Sequence, residues 1–164
     1  MAAEVRPANW PPGSGYSHGF SAEGRAVFVA GQIGWDPVTQ TVAAGGMSAQ
    51  VRQAFANIVT VLEAAGARPT HLVRLTWFIT DRDAYLRERK AIGTAYREVI
   101  GRHFPAMSVI VVAGLLEPGA VVEIEATAVA RCLRKEPTET RSLPQIRIRP
   151  KVRSVKCRLA SKPV

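Results

Sequence analysis

The chain has 164 residues, 47% hydrophobic and 21% charged, with a formal net charge of +9. This is the make-up of a soluble domain with a core of its own, not of a disordered or collagen-like chain. Its longest apolar stretches, such as 107–116, are too short for a bilayer, and no hydrophobic run follows a basic start. No membrane span and no secretory signal is expected, which leaves the cytoplasm as the default compartment.

The charge is unevenly placed. Residues 1–130 hold eleven Lys+Arg and eleven Asp+Glu, whereas 131–164 hold eleven basic groups against only Glu136 and Glu139. A neutral domain over 1–131 and a basic, disordered tail over 132–164 are therefore expected. The alternation around Ile146 and Ile148 leaves a short ribbon as the other reading of the tail. Cys132 and Cys157 have no metal or disulfide spacing and read as free thiols. His18, His71 and His103 are too scattered to form a ligand pair, so neither a metal nor another cofactor is expected.

In chain order, residues 1–15 carry three prolines and read as an irregular arm. Arg25–Ile33, between Gly24 and Gly34, reads as a strand, and Asp36-Pro37 as a turn. Gly45-Gly46 precede a helix for which Ser48 is the expected N-cap. Val51, Phe55, Ile58, Val59 and Leu62 recur at helical spacing, and Gly66 is the stop. Leu72–Thr80, rich in Thr, Val and aromatics, reads as a strand. Asp81 or Asp83 can cap a second helix running towards Ile100, with Tyr85, Ile92, Tyr96, Val99 and Ile100 as its apolar stripe. Two strands follow, Met107–Ala113 and Val121–Ala130, joined through Glu117-Pro118-Gly119.

The order β(β)αβαββ predicts an α+β domain, a mixed sheet with two helices on one face. Val109, Val111, Ala113 and their alternates are almost all apolar, so both faces of the sheet should be buried. Few elements remain to cover the second face, and self-association is the simple solution.

Several segments carry a resemblance. Gly15-Tyr16-Ser17, Val29-Ala30-Gly31-Gln32-Ile33, the helix Gln50–Gly66 with Gln50, Arg52, Gln53, Asn57, Leu62, Ala65 and Gly66, and the block from Phe104-Pro-Ala through Val121-Val-Glu-Ile-Glu-Ala resemble the Rid family (YjgF/YER057c/UK114). The likeness runs from about Gly15 to Arg131. It implies a chorismate-mutase-like fold, a homotrimer, and a small-molecule ligand in intersubunit clefts. In Rid enamine/imine deaminases an arginine on the penultimate strand clamps the substrate carboxylate, since its planar fork matches two carboxylate oxygens. A glutamate on the last strand positions water and moves protons. The matching positions here are Met107 and Glu123. Tyr16, Ala30, Gly31 and Val109 match positions that line the cleft.

Met107 is the main departure, because a thioether cannot pair with a carboxylate. Ala30 stands where serine is common and Val109 where cysteine is frequent. The stretch 82–96 looks one helical turn longer and brings Arg82, Arg87, Arg89 and Lys90, which read as a solvated face or as a rebuilt anion site. Glu123 and Glu125, two apart on a strand, share a face. They read as a catalytic base with a neighbour, or as a salt-bridged or solvated pair at a subunit seam, with Arg74 or another arginine as partner. Three functions follow: hydrolysis of a reactive enamine or imine through Glu123-activated water, non-catalytic ligand sensing in the same clefts, and RNA binding or ribonuclease-like translation inhibition. In the third, the tail would supply phosphate contacts, yet 131–164 contain no Phe, Tyr or Trp for stacking on bases.

Overall fold

The computed structural model of the chain describes residues 2–131. The expectations for the tail, its ribbon or disorder, its cysteines and its nucleic-acid contacts, lie outside the described residues. The elements are β1 (Ala2–Val5), β2 (Gly19–Ala22), β3 (Arg25–Ile33), β4 (Trp35–Asp36), β5 (Thr41–Val42), α1 (Gly46–Ala64), a 3-10 turn (Pro69–His71), β6 (Leu72–Ile79), α2 (Arg82–Val99), β7 (Ala106–Val111) and β8 (Val122–Ala130).

Four strands form the main sheet in the order β3-β8-β6-β7. β7 runs parallel to β6, and the other neighbours are antiparallel. Such a sheet needs a crossover between β6 and β7, and α2 supplies it. The expected α+β arrangement is therefore present. Alternation along β8 is clean: Val122, Ile124, Ala126, Ala128 and Ala130 are buried, while the residues between them are not. The buried set packs with Val51, Phe55, Ile58 and Leu62 of α1, and with Ile92 and Tyr96 of α2. Phe55 sits edge-on to both Trp77 of β6 and Tyr96, so aromatic rings join the sheet to both helices.

The other face of the sheet stands open in the single chain. Phe28 is 79% exposed there, and Ile110 of β7 is 43% exposed. Burial of both faces, expected from the apolar alternates, is thus not achieved by one chain.

Three local readings are corrected. The arm contains β1, which pairs antiparallel with β2; all four of its residues are exposed, so no burial pattern marks it. Helix α1 is capped by Gly45 in the left-handed region, φ 103°, with no side-chain cap. Ser48 is not the cap; its N–H instead donates to Glu88 Oε2 of α2 at 2.8 Å. A carboxylate from a neighbouring helix thus meets the positive end of α1, and hydrogen bonds from the Ser48 hydroxyl and N–H hold the Glu88 carboxyl below its ordinary range. β7 ends at Val111 rather than Ala113. For α2 the cap is Asp81, whose Oδ1 accepts from the N–H groups of Asp83 and Ala84 at 2.8 and 2.9 Å. Among the described residues, no helix is long and apolar enough to cross a membrane.

Candidate functional site

On the open face, the pairing of β3 with β8 slips between Val29 and Gln32. Val29 faces Ala126 and Gln32 faces Ile124, so Ala30 and Gly31 together oppose Glu125, which is a β-bulge. The Gln32 amide donates to the carbonyls of Ala30 and Gly31 at 3.2 and 3.3 Å. The bulge brings Gly31 against the Glu123 side chain. A Cβ at Gly31 would lie 1.7 Å from Glu123 Oε1 and 2.6 Å from its Cδ, so the carboxylate occupies space that only glycine leaves. Among the described residues the Glu123 side chain has no ion pair and no hydrogen bond. Arg74, the expected partner of the pair, donates instead to Thr76 Oγ1 at 3.3 Å. Glu123 is therefore a half-buried carboxylate with its oxygens uncommitted.

Met107 belongs to the opposite face. It lies in register with Leu75, and Leu75 with Ala126, so all three side chains point to the helix side. Glu123, an odd number of residues from Ala126, points the other way. Met107 lines a groove of about 650 Å³ between α2 and β7. Trp77, Tyr85, Tyr96 and Phe104 give it aromatic walls, and Val109 lies at its strand side. Arg89 and Arg97 border it, and among the described residues no carboxylate does. Gly93 also lines it; a Cβ there would lie 3.4 Å from Arg97 Nη1. Glycine inside a helix costs about 1 kcal/mol relative to alanine, so the gap at Gly93 is held against helix propensity. The Trp77 indole N–H is buried without a partner among the described residues. Burial pushes the Tyr85 and Tyr96 hydroxyls up from their ordinary values, so both stay protonated near neutrality.

Tyr16 lies beside Met107 in a smaller hollow of about 340 Å³, which also includes His18, Arg74 and Ser108. Ser17 bridges to Ala106 in parallel, and its hydroxyl donates to the Phe104 carbonyl at 2.6 Å. This ties the Tyr16 segment to the start of β7. The predicted site residues thus form two groups within one chain. Ala30, Gly31 and Glu123 meet at the bulge; Tyr16, Met107 and Val109 meet along β7. The fold does not bring Met107 and Glu123 together. Of the basic residues on α2, Arg82 and Arg87 lie near Asp83 and Asp81 on a solvated face, whereas Arg89 reaches the groove. Arg97 and Gly93 were not read from the sequence as site residues; the spacing of four from Arg89 to Gly93 and from Gly93 to Arg97 was the available signal.

The polar residues of the α1 motif are structural. Gln50 donates to the Gly119 carbonyl and accepts from the Val121 N–H, both at 2.9 Å. Asn57 donates to the carbonyls of Ile33 and Trp35. They clamp the strand ends that flank the bulge and the β7–β8 connection.

The family model described as Endoribonuclease L-PSP matches residues 7–130. The chain belongs to the Rid family. A solved Rid-family protein of unknown function from Yersinia pestis superposes with a TM-score of 0.70 at 30% identity, covering 79% of this chain and 98% of that one. The YjgF product of E. coli gives a TM-score of 0.57 at 32% identity, covering 79% and 99%. A 2-iminobutanoate/2-iminopropanoate deaminase of Salmonella typhimurium is 36% identical over 134 residues, 80% of this chain and 97% of the relative. Its namesake from Capra hircus is 34% identical over 105 residues, 64% and 73%. These likenesses confirm the Rid resemblance and the α+β fold.

Proposed function

We propose that this Rid protein hydrolyses a reactive imine or enamine in clefts between copies of the chain, with Glu123 as the base. The observation that carries the reading is the Glu123 carboxylate, uncommitted and set over Gly31 at the bulge, together with the deaminase names of relatives that share most of the domain. A base must have free lone pairs, and a carboxylate engaged in an ion pair would not. Water oxygen adds to the imine carbon while Glu123 accepts the water proton. Glu123 delivers that proton to the nitrogen, which gives a carbinolamine. The hydroxyl proton then passes through Glu123 to the amine, the C–N bond breaks, and ammonia and a carbonyl compound leave.

The ligand would lie beside Met107 in the groove of α2 and β7. Because Met107 and Glu123 point from opposite faces of one sheet, a cleft that uses both takes one from each of two copies. A homotrimer is the assembly we assign; it would also cover the open face with Phe28 and Ile110. Light scattering at micromolar concentration should give the mass of a trimer, and a monomer would overturn the shared cleft. Glu123→Gln should lower hydrolysis of its imine, generated in place by an amino-acid oxidase, at least about 100-fold. Unchanged turnover would refute the role. Met107 favours a second reading, a ligand sensor without turnover, which predicts ligand binding but no ammonia release in either protein.

A further inference from the structure

We propose that the carboxylate anchor of this site has moved from β7 to α2, where Arg89 and Arg97 hold it, and that the site takes 2-imino acids with bulky apolar or aromatic side chains. This rests on the deaminase reading for the imine and on the groove alone for the carboxylate and the side chain.

Three observations converge. First, among the described residues, two guanidiniums and no carboxylate border the groove. Among the described residues neither arginine has an ion pair; Arg97 donates only to Thr94 Oγ1, at 3.2 Å. Two unneutralised guanidiniums eight residues apart on one helix lie on one face, and such a pair favours an anion between them. Second, Gly93 sits midway between them, with Arg97 Nη1 only 3.4 Å from where its Cβ would be. Alanine would suit the helix better and its Cβ would meet that guanidinium in ordinary van der Waals contact, but a larger side chain would fill the floor between the two charges. Third, apart from Ser14, Gly15 and two tyrosines, the rest of the described lining is apolar or aromatic. At about 650 Å³ with Trp77, Phe104 and Met107 in its walls, it is in the range of sites that bury ligands much larger than a three-carbon imino acid. Arginine in place of Met107 would put a charge where this groove has an adaptable thioether. A charged head at α2 and an apolar body over β7 describe an aromatic or long-chain 2-imino acid.

The test is the binding of stable carboxylates to the full chain, followed by calorimetry. The wild type should bind 3-phenylpropanoate at least about tenfold more tightly than propanoate. Arg89→Gln/Arg97→Gln should weaken 3-phenylpropanoate at least about tenfold while leaving the uncharged 3-phenylpropanamide unchanged. Gly93→Leu, which improves helix propensity and so keeps the fold, should block both ligands. Equal affinity for propanoate and 3-phenylpropanoate, or full retention of carboxylate binding by the double arginine variant, would overturn the assignment. If binding follows this pattern and no imine is turned over, the anchor stands and the deaminase reading fails. If imines are turned over and the arginine variant is as active as the wild type, the deaminase stands and the anchor fails.

Discussion

Gly31→Ala isolates the contact on which the proposed chemistry depends. The new methyl would lie 1.7 Å from Glu123 Oε1, 2.6 Å from Cδ and 2.8 Å from Cγ. Relief to ordinary van der Waals contact, roughly 3.5 Å, requires the carboxylate to move by about 2 Å. The backbone does not oppose alanine, since Gly31 is not among the glycines with positive φ. Alanine in a strand is favoured over glycine by about 0.5–1 kcal/mol, and an off-rotamer Glu123 costs a similar amount. Stability should therefore change by less than about 1 kcal/mol. Displacing a catalytic group by about 1 Å costs about 100-fold, equivalent to about 2.7 kcal/mol of barrier. The expected result is a loss of at least about 100-fold in kcat/KM for an imine, with Tm almost unchanged. In a Glu123→Ala background the Gly31 substitution should add almost nothing, because the group it displaces is gone. Full activity in Gly31→Ala, or an equal further loss in the Glu123→Ala background, would refute the placement of the base.

Met107→Arg should restore a strand-borne clamp and raise activity on small imines such as 2-aminoacrylate by about 30- to 1000-fold over a poorly active wild type; adding Glu123→Ala should abolish the gain. Glu88→Gln should destabilise the fold by about 0.5–1 kcal/mol, a modest figure because the carboxylate is largely solvated. Hydrogen bonds from Ser48 depress the Glu88 carboxyl below its ordinary value of 4.5; its contribution is therefore complete above about that pH and is lost as pH falls through the folded value, so the Tm difference between wild type and Glu88→Gln should shrink on acidification. A chain ending at Arg131 should keep its assembly and Tm, and any nucleic-acid affinity of the full chain should be lost with residues 132–164 and fall steeply with salt; tight RNA binding by the shortened chain would contradict this.

The elements legible in the sequence are those whose periodicity comes from burial. β8 alternates and α1 and α2 carry apolar stripes because each lays one face on the same core. β1 was not legible: its residues are all exposed and it exists by pairing with β2. The N-terminus of α1 was misread because its partner, Glu88, is forty residues away on another helix, beyond any local capping rule. At the site, residue types were legible but their meeting was not. Glu123 reaches Gly31 only through the register slip of β3, which no side-chain pattern announces. Met107 reads as the loss of a clamp, while the cations of Arg89 and Arg97 gain meaning only once α2 is laid beside β7.

The most direct test of a cleft shared between copies is complementation. Glu123→Ala keeps the groove and loses the base; Gly93→Leu keeps the base and blocks the groove. Each should be inactive alone. In mixed cyclic trimers made by refolding the two together in equal amounts, a cleft is intact when an unblocked groove meets an unaltered Glu123, which happens for about one cleft in four. The mixture should therefore recover about a quarter of wild-type activity. No recovery, with mixed assemblies verified by mass, would contradict the shared cleft and the account built on it.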